Sequence, residues 1–234
     1  MKKYLLILLV LFVIVPDIFA ASIQDMQQAV IAKKNATAGG EEVFINTNGL
    51  ETQAEDDEWT TTANTPDYDY SAAPLTGLES LELNPADDCY ITITEADDVY
   101  VSMQLKIDGA LENDEVTIYI RDSGNNTMAQ LIIRGPEGVP YVAADGGDVS
   151  SNASVEIDDG SVHYIMLRYQ VGTGTNARID YWHWNGSAWA DNVSSTNGTA
   201  TNQPARVKFD NNADTENFYW DQFKEKATAI IDPT

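Results

Sequence analysis

Cysteine, histidine and basic residues are all scarce in this chain, and each scarcity closes off a class of function. Cys89 stands alone, so no intrachain disulfide forms, and no thiolate zinc cage or Cys–Cys redox pair is available. It heads an alternating apolar run, Cys89 to Thr94, which is the setting of a buried core thiol. Lys and Arg total 13 against 37 Asp and Glu, for a formal net charge of −24. A body of that charge repels nucleic-acid phosphates and anionic lipid, which removes both as partners. No Ser-His-Asp arrangement, Cys-His pair, phosphate loop or zinc spacing is present. The one long apolar run, Tyr4 to Val15, falls short of the ~20 residues that a membrane helix needs.

That run sits in an informative context. Lys2 and Lys3 precede it, and Pro16, Asp17 and Ile18-Phe19-Ala20 follow it. A positive start, an apolar middle and a small residue at the end make a secretory signal over residues 1–20, cut after Ala20 or Ala21. The expectation is a secreted protein, extracellular or periplasmic, with no membrane attachment after cleavage. An uncleaved anchor is the alternative.

Residues 21–40 form a separate stretch. Ile23, Met26 and Val30 fall at helical spacing, which predicts a short amphipathic helix over 22–34 and a linker from Asn35 to Gly40. So short a helix is not stable alone. It would dock on its own domain, on a sister chain or on another protein, and self-association through residues 22–34 is the expectation carried forward.

From Glu41 onward the period is two. Val99, Val101, Met103, Leu105 and Ile107 alternate with Tyr100, Ser102, Gln104 and Lys106. Similar alternation runs through Val116–Arg121, Ala129–Arg134, Tyr164–Val171 and Ala177–Trp182, with turn residues between the runs. Weaker runs near Val43, Leu81, Tyr141, Val155, Val207 and Phe218 bring the total to about a dozen strands. No βα rhythm occurs. The fold class is all-β, an antiparallel β-sandwich over residues 41–226 with a short N-terminal helix and a tail at 227–234.

Two segments carry a family resemblance. One is Gly49-Leu50-Glu51 with Trp59 and Pro74-Leu75-Thr76-Gly77-Leu78-Glu79-Ser80-Leu81. The other is the closing strand Phe218-Tyr219-Trp220-Asp221-Gln222-Phe223. With the runs between them, they resemble concanavalin A-like, laminin G-like jelly-roll domains of exported bacterial and phage proteins. The resemblance implies that fold and, as a tendency, sugar binding. In many related modules a Glu and an Asp at these places help to hold structural calcium, which nominates Glu51 and Asp221. Strand period also puts Asp221 on one face with Tyr219 and Phe223, where a carboxylate needs a partner or a cation. The alternative has Phe218 and Trp220 inward and Asp221 in solvent.

The basic residues that do exist are placed unusually. Arg121, Arg134, Arg168, Arg178 and Arg206 all fall on the non-core side of their strands, alternating with Tyr100, Tyr119, Tyr164, Trp182 and Trp184. If those strands share one sheet, one outer face is basic and aromatic on an acidic body. Rings stack on the apolar faces of sugars and guanidinium forks bind carboxylates, which suits an acidic polysaccharide. Cross-strand pairing on a solvated sheet is the competing account. Trp182 and Trp184 form the sharpest patch, with Asn185-Gly186 turning the hairpin behind them. They read equally as a sugar platform or as stitching for the hairpin. His163 and His183 fall at core-face positions, suited to internal hydrogen bonds.

Glucanases of the same fold use a Glu-x-Asp-x-Glu strand. The nearest match here is Glu156-Ile157-Asp158-Asp159-Gly160, where Gly160 replaces the acid/base partner. Three readings follow: a non-catalytic carbohydrate-binding module, a structural or assembly module of an extracellular fibre or phage appendage, and a polysaccharide-degrading enzyme. The first is preferred.

Overall fold

A computed structural model describes residues 41–42, 59–75, 80–145, 147–150, 155–172, 177–198, 200–226 and 231. The signal segment, the helix expected over 22–34, the linker and Glu51 lie outside the described residues. Residues 42–234 form one compact unit, and the architecture below is that unit's.

Alternating sequence becomes strand because each run can bury one face and wet the other. Fourteen strands result among the described residues. They are β1 (Glu41–Glu42), β2 (Trp59–Ala63), β3 (Asp67–Tyr70), β4 (Ser80–Leu83), β5 (Asp88–Thr92), β6 (Asp98–Ile107), β7 (Glu115–Arg121), β8 (Thr127–Arg134), β9 (Val139–Ala144), β10 (His163–Gln170), β11 (Ala177–Trp184), β12 (Trp189–Gly198), β13 (Arg206–Asn211) and β14 (Phe218–Lys226). Among the described residues near Val155 no strand forms; residues 155–158 are irregular and run into the Asp159–Ser161 bend.

The strands form two antiparallel sheets. The larger, eight-stranded sheet has the order β12-β11-β10-β6-β14-β4-β3, with β1 pairing β14. The six-stranded sheet has the order β2-β5-β13-β7-β8-β9. Neighbours within a sheet are mostly distant in sequence, β14 lying between β6 and β4 for example, and this crossing of the chain between sheets makes the jelly roll.

One core fills the space between the inner faces. Val99, Val101, Met103, Leu105 and Ile107 of β6 meet Val116, Ile118 and Ile120 of β7, together with Leu131 and Ile133 of β8. Aromatics join the layers: Phe209 of β13 stacks on Trp220 of β14 with centroids 4.2 Å apart, and Trp59 sits edge-on to Trp220 at 3.9 Å. Such pairs contribute about 0.5–1.5 kcal/mol each beyond their buried area. Cys89 is fully buried and burial raises its thiol pKa, as expected of a packing residue.

Strand β14 departs from simple alternation. Asp221 pairs with Gln104 and Lys224 with Ser102, so one extra residue is accommodated between them, and Gln222 takes a left-handed φ of 49°. This bulge turns Phe223 into the core while Asp221 stays on the outer side. The expectation that Asp221 and Phe223 share a face is therefore corrected: period two fails where a strand carries an extra residue. Phe218 and Trp220 do face inward, yet Asp221 is not solvated; it is 2% exposed.

Candidate functional site

Strand order decides which outward residues are neighbours. Of the residues named from sequence, Tyr164, Arg168, Arg178, Trp182 and Trp184 lie on β10 and β11 of the eight-stranded sheet. Arg121, Tyr119 and Arg134 lie on β7 and β8 of the six-stranded sheet. The condition that all share one sheet is not met, and the single basic-aromatic face is corrected to two faces on opposite sides of the sandwich.

On the eight-stranded sheet the register lays outward side chains in transverse rows. Trp182, Met166, Ser102 and Lys224 are successive partners across β11, β10, β6 and β14. In the next row Tyr164, Gln104 and Asp221 are partners. On the other side Ser194, Asp180, Arg168 and Tyr100 follow one another. Each step is one interstrand spacing of about 4.8 Å.

The middle of this face is a polar cluster. Gln104 Nε2 donates to the Tyr164 hydroxyl and to Gln222 Oε1 at 3.2 Å, and the Tyr164 hydroxyl lies 3.5 Å from the same Gln222 oxygen. Gln104 is 3% exposed, whereas Tyr164 and Gln222 are half-buried above it. The bulge brings Gln222 here: its left-handed backbone costs about 1–2 kcal/mol in a non-glycine residue, and such strain collects at functional positions. Beside it, Asp221 accepts from Ser80 Oγ at 3.1 Å and from the Gln222 amide at 2.6 Å.

The two arginines of this sheet are paired with aspartates. Arg168 forms a fork on Asp98, with Nε and Nη2 at 2.7 and 2.6 Å from the two carboxylate oxygens. Those bonds raise its pKa against the opposing effect of burial. Its guanidinium also lies over the Tyr100 ring at 5.3 Å. Arg178 donates to Asp180, which is 1% exposed and also accepts from Ser194. Arg168 stands 3.8 Å from the second Asp180 oxygen. A buried carboxylate of this kind requires such partners, so cross-strand pairing describes these arginines.

The tryptophans divide between roles. Trp184 and Trp189 are directly opposed across the β11–β12 hairpin with rings edge-on at 5.5 Å, which is the stitching arrangement. Trp182 stacks with Tyr100 at 6.5 Å and joins Met166 and Ile231 in a small outer cluster. Ile231 anchors there because Trp189 Nε1 donates to its carbonyl at 2.9 Å. Asn185 organises the hairpin turn, its side-chain oxygen accepting from the amides of Ser187 and Ala188.

The remaining sequence candidates are engaged in hydrogen bonds within the fold. Asp158 is buried and accepts the Leu111 amide at 2.8 Å, while Asp159 binds His163 Nε2 at 2.9 Å. His163 in turn meets His183 at 3.1 Å, the internal hydrogen bonding expected of core-face histidines. For calcium, both Asp221 oxygens already accept protein donors, and among the described residues no three His, Cys, Asp or Glu side chains converge on a metal position. Glu51, the other nominated ligand, lies outside the described residues. Gln104 and Gln222 are not among the candidates that the sequence offers. The signal for Gln104 was an amide in a long strand's polar row; for Gln222, which owes its place to a bulge, there was none.

No protein-family model matches the chain, and no curated protein matches it in sequence. Among solved structures, a sialidase aligns over 79% of this chain but only 18% of its own, with TM-score 0.59 and 13% identity. The cellulose-induced protein Cip1 aligns over 78% of this chain and 97% of its own, with TM-score 0.53 and 17% identity. The exoplasmic/lumenal domain of VIP36, solved with Ca2+ and Man3GlcNAc, aligns over 84% and 91%, with TM-score 0.51 and 8% identity. At these identities the likeness establishes the fold alone, a concanavalin A-like β-sandwich. No helix among the described residues is long and apolar enough to cross a membrane.

Proposed function

We propose that this chain is an exported carbohydrate-binding sandwich whose outer eight-stranded face receives a polysaccharide across β11, β10, β6 and β14. The observation that carries the reading is the Gln104–Tyr164–Gln222 cluster, held in place by a strained bulge and reachable through its two half-buried members. Amides and a phenol suit sugar hydroxyls, which donate and accept at once. Trp182, half-buried on β11 one strand from Tyr164 and backed by Tyr100 of β6, supplies an apolar ring on the same face. Because Arg168 and Arg178 are committed to Asp98 and Asp180, this face favours a chain of neutral sugars. Residues 1–20 are the export signal in this reading, and no step depends on calcium.

The test is retention of the chain, from Ala21 onward, on immobilised neutral and acidic polysaccharides, with Tyr164→Phe and Trp182→Ala beside it. Retention on a neutral glycan that weakens in both folded variants supports the reading. Retention unaltered in both removes this face as the site, and absence of retention on any glycan favours the assembly module.

A further inference from the structure

The six-stranded sheet carries a different arrangement on its outer face. Arg206 of β13 and Arg121 of β7 are directly opposed partners, so their Cα atoms are separated by only about 4.5–5.5 Å. Like charges so placed destabilise a sheet. Neither guanidinium has a carboxylate within ion-pair reach among the described residues, in a chain where acids outnumber bases by 37 to 13. The contrast with adjacent Lys208 is direct. That ammonium binds Asp88 at 2.7 Å and Asp210 at 3.0 Å.

Tyrosine rings hold the two guanidiniums instead. Arg206 lies over Tyr90 at 4.9 Å and Arg121 over Tyr119 at 4.8 Å. Arg121 spends one Nη1 bond on Asn125 Oδ1 at 3.2 Å, while its Nε is closed off from solvent with no hydrogen-bond acceptor among the described residues. Rings orient a guanidinium without consuming its in-plane donors. Both arginines are half-buried, so each keeps part of its surface in solvent.

We propose that Arg121 and Arg206 form an oxyanion site, which takes one carboxylate or sulfate group of an acidic sugar. An oxyanion bridging the forks removes the repulsion and supplies charge-assisted acceptors. The net charge selects the carrier. A polyanion or an acidic protein is repelled by the whole body. An isolated anionic group on an uncharged carrier meets mainly the local pair, since charges beyond about 8 Å are screened at physiological salt. This site is independent of the glycan face on the opposite sheet, and either can fail without the other.

The experiment titrates the chain with galacturonate, galactose 6-sulfate, inorganic sulfate and neutral galactose at constant ionic strength, following arginine Nε–Hε NMR signals. The expected result is saturable shifts at Arg121 and Arg206 with the anions and none with galactose; the tighter of the two acidic sugars identifies the group. Arg121→Gln and Arg206→Gln should each weaken binding about tenfold or more. Arg206→Lys, which keeps charge and loses the fork, should fall between. Arg134→Gln, on the same sheet without an opposed arginine, should bind as wild type. Wild-type signals that stay still with every anion overturn the proposal, whatever the variants' stability. Equal losses in Arg134→Gln overturn it too. Dimerisation relieved by Arg206→Gln without anion binding gives the pair to a carboxylate of a second copy and also overturns it.

Discussion

Gln222, held at φ 49° in the bulge of β14, accepts a hydrogen bond at 3.2 Å from Gln104 on the neighbouring strand. The bulge thus delivers an amide to the outer face while Phe223 fills the core behind it. Gln222→Gly tests this division. Glycine tolerates the left-handed backbone, so the denaturant midpoint should shift by no more than about 1 kcal/mol equivalent. Retention on glycan should be lost. A folded Gln222→Gly protein with undiminished retention would show that the side chain is not part of the site.

Tyr164→Phe removes one hydroxyl from the same cluster and leaves the ring. Glycan affinity should drop about tenfold, the usual worth of a hydrogen bond in a desolvated site. Calorimetric titration against the best-retained oligosaccharide measures it, and circular dichroism checks the fold.

Chelation should leave glycan retention on this face unchanged. Its polar groups are amides and a phenol, and Asp221 already accepts from Ser80 and from the Gln222 amide. Retention measured in EDTA and again with added calcium settles the matter; dependence on calcium would require ligands beyond the described residues.

Ile231 is fully buried against Met166 and Tyr100, with Trp182 and Trp189 beside it. Ile231→Ala should cost about 2–5 kcal/mol if the site does not collapse, and it should increase quenching of tryptophan fluorescence by acrylamide. Unaltered quenching would mean that the contact does not persist in solution.

Acid should weaken the fold in part through Asp159 and Asp122. Burial alone would raise Asp159, but hydrogen bonds from His163 and Ser161 outweigh it and its pKa is lowered. Bonds from Asn126, with Asn202 adding to them, lower Asp122. A carboxylate whose folded pKa lies below its unfolded value, about 3.9 for Asp, stabilises above that value and ceases to do so as pH falls through the folded one. The urea midpoint should therefore fall below about pH 4, and fall less steeply in Asp159→Asn. Parallel curves for the two proteins would remove Asp159 from the account.

Much of the fold was legible locally. Alternation in Val99–Ile107, Val116–Arg121 and Tyr164–Val171 reads as strand because core burial imposes period two on each run by itself. The same rule placed Arg121 and Arg168 on the non-core side of their strands, and the structure agrees for both. It could not separate them. Whether two outward arginines are neighbours or lie on opposite faces depends on strand order, which is a long-range property of the chain's crossings between sheets. The bulge at Gln222 is likewise invisible locally, since its cause is the pairing of β14 with β6.

The sequence by itself determined an all-β sandwich, a core thiol without an intrachain disulfide, and a strongly acidic body, because composition and period are read one residue at a time. Only the tertiary structure decided that Arg168 and Arg178 are tied to aspartates, that Gln104, Tyr164 and Gln222 converge, and that Arg121 faces Arg206. Each of these is a contact between strands distant along the chain, and register alone brings such residues together.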